Sequence, residues 1–383
     1  MLKIDSLKTP AYICQESLLE QNLKILDYVQ KESGAKIILA LKGFAMFSTF
    51  ELVSKYVQGC TASGLYEAKL AKDEFCKYNP NAEIHTYSPA FSDDDFDEIV
   101  KISDHIVFNS PNQLKRFLSK VKENSKKNTS ISLRINPEVS SSPVDIYNPC
   151  GLYSRLGTTV ANFDPALLNE LDGLNFHALC EQDVDALEVV LKEFEKNFAK
   201  YFKNLKYINF GGGHHITKKG YDIDKLIWII KEFKKKYDLD VYLEPGEAVG
   251  WECGYLISSV LDIVHNGIDI AILDTSAEAH MPDTLAMPYR AMVRGSGEAD
   301  EKKYRYRLGG NTCLAGDIMG DYSFDSPLKI GDKIIFEDQI HYTFVKNTTF
   351  NGIKLPSLVV ERLDGSVEVV KEFGYEDYKN RLS

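Results

Sequence analysis

Short apolar runs alternate with longer amphipathic segments between residues 36 and 247. The runs are rich in β-branched residues and end at polar or glycine positions, which predicts strands, whereas apolar residues spaced three and four apart predict helices. The predicted strands are Lys36–Ala40, Gly59–Ala62, Glu83–Tyr87, His105–Phe108, Ser130–Ile135, Gly173–Leu179, Lys206–Phe210 and Asp240–Leu243. The predicted helices are Phe50–Tyr56, Leu65–Phe75, Asp94–Lys101, Pro111–Lys122, Asp183–Tyr201 and Asp222–Tyr237. Eight strands alternating with helices indicate an α/β fold built on a TIM-type (β/α)8 barrel.

The pattern changes after Glu247, where strand-like runs continue without helices of comparable length between them. An early run, Ala11–Cys14, has the same character. We therefore predict a second, mostly antiparallel domain, a β-barrel or sandwich, that is discontinuous in the sequence. It comprises residues 1–21 and 248–383, and the barrel comprises residues 22–247.

Composition narrows the classes of function. The 383 residues are 44% hydrophobic and 26% charged, which is typical of a globular protein. A formal charge of −11 argues against nucleic-acid binding and against an anionic membrane surface, and it is compatible with a cationic substrate. No apolar run reaches the length of a membrane span, and the first ten residues show no secretory signal. The seven cysteines include no CxxC pair, so we expect a reduced, cytoplasmic protein without a metal site.

Lys42 closes the first predicted strand, in the segment Ala40-Leu41-Lys42. Burial disfavours the ammonium form of a lysine, and the resulting free amine is the nucleophile that Schiff-base chemistry requires. The alternative is a surface lysine just beyond a strand end. The other strand ends favour catalysis, because nearly all of them bring polar groups or glycines to one rim, where barrel enzymes keep their active sites. These groups are Lys42, Ser63, Ser88, Asn109, Arg134, His177, Gly211–Gly213 and Glu244.

Three of these strand ends suggest binding of a phosphorylated aromatic cofactor. Consecutive N–H groups of Gly211, Gly212 and Gly213 can converge on a phosphate, although a tight turn is the alternative. Glu244 can keep a pyridinium nitrogen protonated, as an electron-sink cofactor needs, or it can accept hydrogen bonds from nearby backbone. His177 can stack on an aromatic ring or fill the core.

The β domain contributes two further segments. In Asn311–Asp317 the thiol of Cys313 precedes the carboxylate of Asp317 by four residues, a spacing that alone describes only a polar loop. In the segment His341–Gly352, the hydroxyl of Tyr342 could donate a hydrogen bond to a phosphate.

Taken together, these segments resemble the fold-type III decarboxylases, the alanine-racemase-like family that uses pyridoxal 5′-phosphate. The resemblance covers nearly the whole chain and keeps the motifs in the family's order. The matching motifs are Ala40–Lys42, Ser63–Glu67, the strand of His177, Gly211–Gly213, Glu244–Gly246, Cys313 with Asp317, and Tyr342 with Phe350–Gly352.

The resemblance implies that pyridoxal 5′-phosphate is the cofactor and that Lys42 holds it through a Schiff base. It further implies that His177 stacks on the ring, that Gly211–Gly213 and Tyr342 hold the phosphate, and that Glu244 pairs with the pyridine nitrogen. Active sites of this family form at a dimer interface, so the resemblance implies a homodimer. Cys313 would then donate a proton to the decarboxylated carbon from the partner subunit, and Asp317 would bind a substrate amine.

One position departs from the family pattern. Members that act on ornithine or diaminopimelate usually continue Glu-Pro-Gly with arginine, whereas this chain has Glu247. An anion there should repel a carboxylate and attract an ammonium group. Asp274 and Asp283 match family features near the substrate's amines, although a surface carboxylate is the alternative for Glu247 and Asp283. The charge favours a cationic polyamine substrate. The Cys180-Glu181 pair and the segment Ala279–Asp283 resemble the family members that act on carboxylated polyamines, and this resemblance implies that carboxynorspermidine or carboxyspermidine is decarboxylated to norspermidine or spermidine.

Other functions are compatible with the same fold. Ornithine or diaminopimelate decarboxylation is the first alternative, and a racemase is a further one. A relative without catalytic activity that regulates another protein is also an alternative, which the presence of Lys42 and of the Cys313–Asp317 motif argues against.

Overall fold

The computed structural model describes residues 7–124, 128–140, 142 and 145–383. These residues form two compact units. The barrel unit is Gln21–Val249, and the β unit contains the described residues up to Glu20 together with Gly250–Ser383. The chain begins in the β unit with strand β1 (Ala11–Gln15) and enters the barrel unit within helix α1 (Glu16–Ser33).

The barrel unit is built on a parallel sheet of nine strands in which chain neighbours are also sheet neighbours. Both edges of this sheet belong to the first predicted strand, which is split at Ile38. One half pairs with the last strand of the sheet and the other half pairs with the next strand along the chain, so the sheet nearly closes into a ring. The strands are β2 (Lys36–Ile37), β3 (Leu39–Ala40), β4 (Gly59–Ala62), β5 (Glu83–Tyr87), β6 (His105–Phe108), β7 (Ser130–Ile135), β8 (Gly173–Phe176), β9 (Tyr207–Asn209) and β10 (Asp240–Leu243).

Helices follow most of the barrel strands. The Asp222 side chain caps the last long helix by accepting a hydrogen bond from the N–H of Lys225, and the buried face of that helix includes Leu226, Ile230 and Phe233, as the sequence spacing predicted. The α-helices are α2 (Phe50–Val53), α3 (Leu65–Leu70), α4 (Asp93–Ile102), α5 (Pro111–Asn124), α6 (Val184–Phe198), α7 (Ile223–Tyr237) and α8 (Glu247–Gly250). A π-helical turn, Ala71–Phe75, continues α3, and 3-10 turns occur at Phe47–Thr49, Asp145–Tyr147, Val160–Asn162, Pro165–Glu170 and Ala199–Asn204.

A polar network closes the N-terminal end of the barrel. The Lys36 Nζ lies 2.8 Å from Glu83 Oε1, and the Tyr242 hydroxyl donates to Glu83 Oε2 at 2.8 Å. The His85 and His105 rings stack at 3.9 Å with only 14° between their planes. Near-parallel rings direct their in-plane lone pairs along separate lines, so this network fits a structural role better than shared coordination of one ion.

The β unit centres on strand β1, which pairs antiparallel with β11 (Gly254–His265) and parallel with a strand from the C-terminal part of the chain. Ala11, Ile13, Tyr255, Ile257 and Val359 form its apolar core. The remaining strands are β12 (Asp269–Leu273), β13 (Tyr304–Gly309), β14 (Ile318–Phe324), β15 (Lys333–Glu337), β16 (Ser357–Glu361) and β17 (Val367–Lys371). Short helices are α9 (Ala277–His280), α10 (Asp283–Ala286) and α11 (Tyr375–Lys379), with a 3-10 turn at Phe350–Gly352. Two of the strand pairings, β1 with β16 and β12 with β13, are parallel and the others are antiparallel.

The fold class predicted from the sequence is therefore confirmed: a TIM-like barrel accompanies a mostly antiparallel sheet. Among the described residues, no helix is both long enough and apolar enough to cross a membrane.

Candidate active site

The carboxyl ends of the barrel strands carry the polar groups that the sequence singled out. Lys42 lies in the turn after β3, His177 directly after β8, and Glu244 directly after β10. Parallel strands end at one face of a barrel, so these residues come from one rim.

The Lys42 side chain reaches solvent at this rim, yet protein atoms surround its amine closely. Desolvation by these atoms lowers the pKa of Lys42, and the positive charge of Arg134 lowers it further. Glu244 and Glu67 oppose the shift. The net effect is an amine that loses its proton more readily than an ordinary lysine, as a carbonyl nucleophile must.

His177 is held by a backbone donor. The N–H of Gly212 donates to Nδ1 of His177 at 2.8 Å, so Nδ1 is an acceptor and the neutral ring carries its proton on Nε2. Burial lowers the pKa of His177 well below its usual range, and Lys42 and Arg134 lower it further. The sequence placed His177 inside a strand, but the strand ends at Phe176, and the carbonyl oxygen of His177 accepts from Arg134 at 3.2 Å.

Gly211–Gly213 are glycines for steric reasons. A Cβ added to the three residues in turn would lie 2.3 Å from Phe176 O, 2.4 Å from Glu244 O and 2.1 Å from Leu179 O. The first and third glycines also have φ of +72° and +84°, values that side chains disfavour. The triplet therefore lets three strand ends approach one another closely.

The sequence suggested that the three N–H groups of the triplet converge on one anion. In the structure, two of them have other acceptors. The N–H of Gly211 donates to Asn209 Oδ1 at 2.8 Å, and the N–H of Gly212 donates to His177. Both amides therefore fix neighbouring side chains, because the loop turns them back toward the barrel strands. A phosphate at this loop would rely on Gly213 and on groups outside the triplet.

Asn209 links the triplet to Glu244. Its side-chain Nδ2 donates to Glu244 Oε1 at 2.8 Å, while its Oδ1 accepts from Gly211. Asn209 is buried, so both of its polar ends have protein partners inside the barrel. The sequence analysis did not single out Asn209. Its position two residues before the triplet, at the end of a strand, could have marked it as a residue of the rim.

The sequence analysis named Arg134 as a polar strand-end residue but gave it no role in the site. It is buried, its guanidinium lies over the Tyr87 ring at 4.7 Å, and its charge acts on both Lys42 and His177. A buried arginine at a strand end keeps this rim electropositive, which suits an anionic ligand.

Glu247 lies beside two residues that the sequence analysis did not assign. One ligand atom each from Glu181, His215 and Glu247 lies within 4.8 Å of the other two. His215 Nε2 is 3.5 Å from Glu247 Oε2. Glu181 and His215 lie in the loops after β8 and β9, which also carry His177 and Gly211–Gly213, and Glu247 begins α8 three residues after Glu244.

Within the β unit, two predicted motifs meet. The backbone N–H of Cys313 donates to Asn351 Oδ1 at 2.6 Å, and the Cys313 side chain is exposed. Asn351 adopts a left-handed φ of +56°. The Phe350–Gly352 turn thus positions the loop that presents the thiol.

Asp317 is buried and already has several donors. Its carboxylate accepts from the hydroxyls of Ser276 (2.9 Å) and Thr312 (2.6 Å) and from the N–H groups of Ala277 (2.7 Å) and Glu278 (3.3 Å). This arrangement, at the N-terminus of α9, is that of a structural carboxylate that joins two loops.

Asp274 is similarly engaged. It accepts from Ser258 Oγ (2.6 Å), the N–H of Ser259 (2.8 Å) and Thr9 Oγ1 (2.5 Å). Asp283 accepts from Lys346 Nζ at 2.5 Å. In this structure, Asp274 and Asp283, two of the carboxylates that the sequence placed near the substrate's amines, therefore hold elements of the β unit together.

Lys346 also lies near Tyr342. Its Nζ is 5.5 Å from the centre of the Tyr342 ring. Asp283, Lys346 and Tyr342 therefore form one polar group within the β unit.

Glu278 was missed by the sequence analysis. Its Oε2 is buried and has no hydrogen-bond partner among the described residues. Burial raises the pKa of Glu278, and the charge of Asp317 raises it further. Only a structure could single it out, because Asp317 lies 39 positions away along the chain.

Comparison with known proteins places these features in context. A family model described as pyridoxal-dependent decarboxylase, C-terminal sheet domain, matches residues 12–339. The chain is 52% identical to a carboxynorspermidine/carboxyspermidine decarboxylase of Campylobacter jejuni, over 98% of this chain and 99% of that protein. It is 44% identical to a carboxyaminopropylagmatine decarboxylase of Synechocystis, over 99% of this chain and 97% of that protein.

A solved structure resembles the whole chain. It is carboxynorspermidine decarboxylase from Campylobacter jejuni complexed with norspermidine, which superposes with a TM-score of 0.90 at 51% sequence identity and covers 98% of this chain and 100% of that one.

Proposed function

Because the chain belongs to the pyridoxal-dependent decarboxylase family, we propose that it removes the α-carboxylate of carboxynorspermidine and carboxyspermidine, giving norspermidine and spermidine. The observation that carries this proposal is the 52% identity, over nearly the full length of both chains, to a decarboxylase of these two substrates. The second support is Glu247, since an anion at this position suits a substrate tail that carries ammonium groups.

The rim residues fit pyridoxal 5′-phosphate. They comprise an amine with a lowered pKa, an uncharged imidazole, a fixed carboxylate and a glycine loop into which added Cβ atoms would intrude. When bound, this cofactor supplies the electron sink that decarboxylation of an amino acid needs.

The barrel side chains each have a role in this proposal. Lys42 would supply the free amine that holds the cofactor. Glu244, oriented by Asn209, would keep a proton on the ring nitrogen. His177, kept neutral and fixed by Gly212, would support the cofactor ring without adding a positive charge.

The β unit completes the proposed site from a partner subunit of a homodimer. Cys313 is exposed, and it or a water molecule returns a proton to the carbon that has lost carbon dioxide. Tyr342 contributes a phosphate contact. All seven cysteines are free thiols, which suits a reducing compartment such as the cytoplasm.

The substrate's cationic tail is assigned to Glu247, because an anion at the barrel rim attracts ammonium groups. Within the β unit, Asp274, Asp283 and Asp317 accept protein hydrogen bonds that hold its own elements together.

A substrate panel tests this function. Purified protein loaded with pyridoxal 5′-phosphate should release carbon dioxide from carboxynorspermidine and carboxyspermidine, with Lys42→Ala as the blank. Little release is expected from ornithine or diaminopimelate. Preferred turnover of diaminopimelate would refute both the proposed substrate and the role of Glu247.

Carboxyaminopropylagmatine decarboxylation is the second candidate. The 44% identity to the Synechocystis enzyme over nearly the full chain favours it. Including carboxyaminopropylagmatine in the same panel separates the two, because the better substrate will have the higher kcat/KM.

A further inference from the structure

Arg134 is held at the barrel rim by two neighbours that do not cancel its charge. The residue is 6% exposed. Its guanidinium donates to the carbonyl oxygen of His177 at 3.2 Å and lies 4.7 Å from the centre of the Tyr87 ring. A carbonyl oxygen and the face of a tyrosine ring both attract a cation, yet neither carries a net negative charge. A carboxylate partner would instead neutralise much of the positive charge.

The contact between Tyr87 and Arg134 follows from the barrel geometry. Tyr87 ends β5, and Arg134 lies one residue before the end of β7, with β6 between the two strands. Side chains that share a layer inside such a barrel come from alternate strands. The contact therefore spans β6 and fixes the guanidinium relative to two strand ends at once.

Asn109, directly after β6, fixes the hydroxyl of Tyr87. That hydroxyl donates to Asn109 Oδ1 at 2.8 Å, and the same oxygen accepts from the N–H of Gly157 at 2.7 Å. Asn109 Nδ2 donates to the carbonyl oxygen of Arg155 at 2.9 Å. The Tyr87 ring and the end of the loop after β7 are thus fastened to one side chain.

The charge that Tyr87 holds acts on the lysine of the site. Desolvation lowers the pKa of Lys42 most, and Arg134 is the charged neighbour that lowers it next. Glu244, Glu67 and Cys180 oppose the shift. Coulomb interactions weaken with distance, so a guanidinium that moves away from Lys42 leaves the amine easier to protonate and less nucleophilic.

We propose that Tyr87 is a positioning residue of the active site: its ring holds the guanidinium of Arg134 where the charge acts on Lys42. Asn109 anchors that ring through its hydroxyl. The inference rests on the proposed function in one respect, namely that Lys42 is the lysine that captures the cofactor. It does not depend on which substrate is decarboxylated.

The test measures how fast the full chain, freed of its cofactor, captures pyridoxal 5′-phosphate at each pH, with Lys42→Ala as the blank. Capture requires the free amine of Lys42, so the midpoint of the rate profile follows the pKa of that amine. Tyr87→Leu lets the guanidinium move, and the midpoint should rise by about one pH unit. Tyr87→Phe keeps the ring and loses only the bond to Asn109, so its midpoint should rise by less.

Tyr78→Leu is the matched control. The Tyr78 ring also has a cation beside it, with Lys77 Nζ at 4.8 Å from the ring centre. Tyr78 precedes β5 and so belongs to the end of the barrel opposite the rim. Its midpoint should equal that of the parent protein, and urea unfolding of each variant verifies that the fold is intact.

A double-mutant cycle shows whether Tyr87 acts through Arg134. Arg134→Gln removes the charge and should raise the midpoint at least as far as Tyr87→Leu does. Adding Tyr87→Leu to Arg134→Gln should then move the midpoint by less than about 0.3 pH unit, because the partner is already gone. A purely structural role for Tyr87 would slow capture at every pH and leave the midpoint in place.

Two results would overturn the inference. One is an unchanged midpoint in Tyr87→Leu. The other is a full shift by Tyr87→Leu in the Arg134→Gln protein, which would mean that Tyr87 acts without Arg134. Failure of the proposed function would look different: the parent protein would capture the cofactor through Lys42 but release no carbon dioxide from any carboxylated polyamine.

Discussion

The N–H of Gly212 donates a hydrogen bond of 2.8 Å to Nδ1 of His177. This contact leaves Nε2 as the protonated nitrogen of a neutral ring. It also explains why one amide of the glycine triplet cannot serve a phosphate. A single bond therefore couples the imidazole expected beside the cofactor ring to the loop expected beside its phosphate.

His177 should remain neutral across the physiological pH range. Burial and the positive charges of Lys42 and Arg134 lower the pKa of His177, so acidification through the usual imidazole range should not protonate it in the folded protein. Nitrogen-15 NMR of histidine-labelled protein, with His177→Gln to assign the signal, measures this directly. A His177 titration with a midpoint near 6.5 would contradict the lowered pKa.

Replacing Asn209 with alanine should weaken both the fold and the cofactor site. The change leaves the buried N–H of Gly211 without its acceptor and Glu244 without its donor. We expect the free energy of unfolding to fall by about 1–3 kcal/mol, and kcat to fall roughly tenfold or more. Asn209→Asp is the matched variant, because it keeps the acceptor for Gly211 but places an anion against Glu244. If Asn209→Asp retained full activity, the role given to the Asn209–Glu244 bond would be wrong.

Close packing, rather than backbone conformation, should make Gly212 irreplaceable. A Cβ there would lie 2.4 Å from Glu244 O, although Gly212 has an ordinary φ. Gly220 offers the converse case, with φ of +90° and no heavy atom within 4 Å of an added Cβ. Gly220→Ala should cost about 1–2 kcal/mol of unfolding free energy, the usual penalty of a left-handed side-chain residue. Gly212→Ala should cost more and lose the cofactor; equal costs in urea unfolding would refute the steric argument.

The barrel was predictable because its signals are local. Runs such as Glu83–Tyr87 and His105–Phe108 end where the structure ends them, since apolar β-branched positions and their polar boundaries are adjacent in sequence. The split at Ile38 was not predictable. It arises because one half of the strand pairs with β10, about 200 residues away, and the other half pairs with β4.

The candidate site was predictable in part for the same reason. Lys42, His177 and Glu244 were found because strand ends of a barrel share one rim. The carboxylates of the β unit were harder to assign, because their partners are distant in sequence. Thr9 donates a hydrogen bond to Asp274 from 265 positions away along the chain, and no local sequence pattern predicts that contact.

Asp317 should prove a structural residue of the β unit. It joins the Thr312 loop to the start of α9 through hydroxyl and backbone donors, so Asp317→Ala leaves several buried donors unpaired. We expect a loss of at least about 3 kcal/mol in unfolding free energy even without substrate. Asp300→Ala, at an exposed ion pair with Arg305, should change stability by less than about 1 kcal/mol. A stable Asp317→Ala protein with a selectively raised KM would instead show that Asp317 binds the substrate's amine.

Covalent attachment of the cofactor at Lys42 is the claim on which the proposed chemistry depends. Borohydride reduction of the protein loaded with pyridoxal 5′-phosphate, followed by peptide mass analysis, tests it most directly. The lowered pKa of Lys42 predicts one phosphopyridoxyl group per chain, located on the peptide that contains Lys42 and missing from Lys42→Ala. Labelling of a different lysine, or undiminished labelling of Lys42→Ala, would contradict the account.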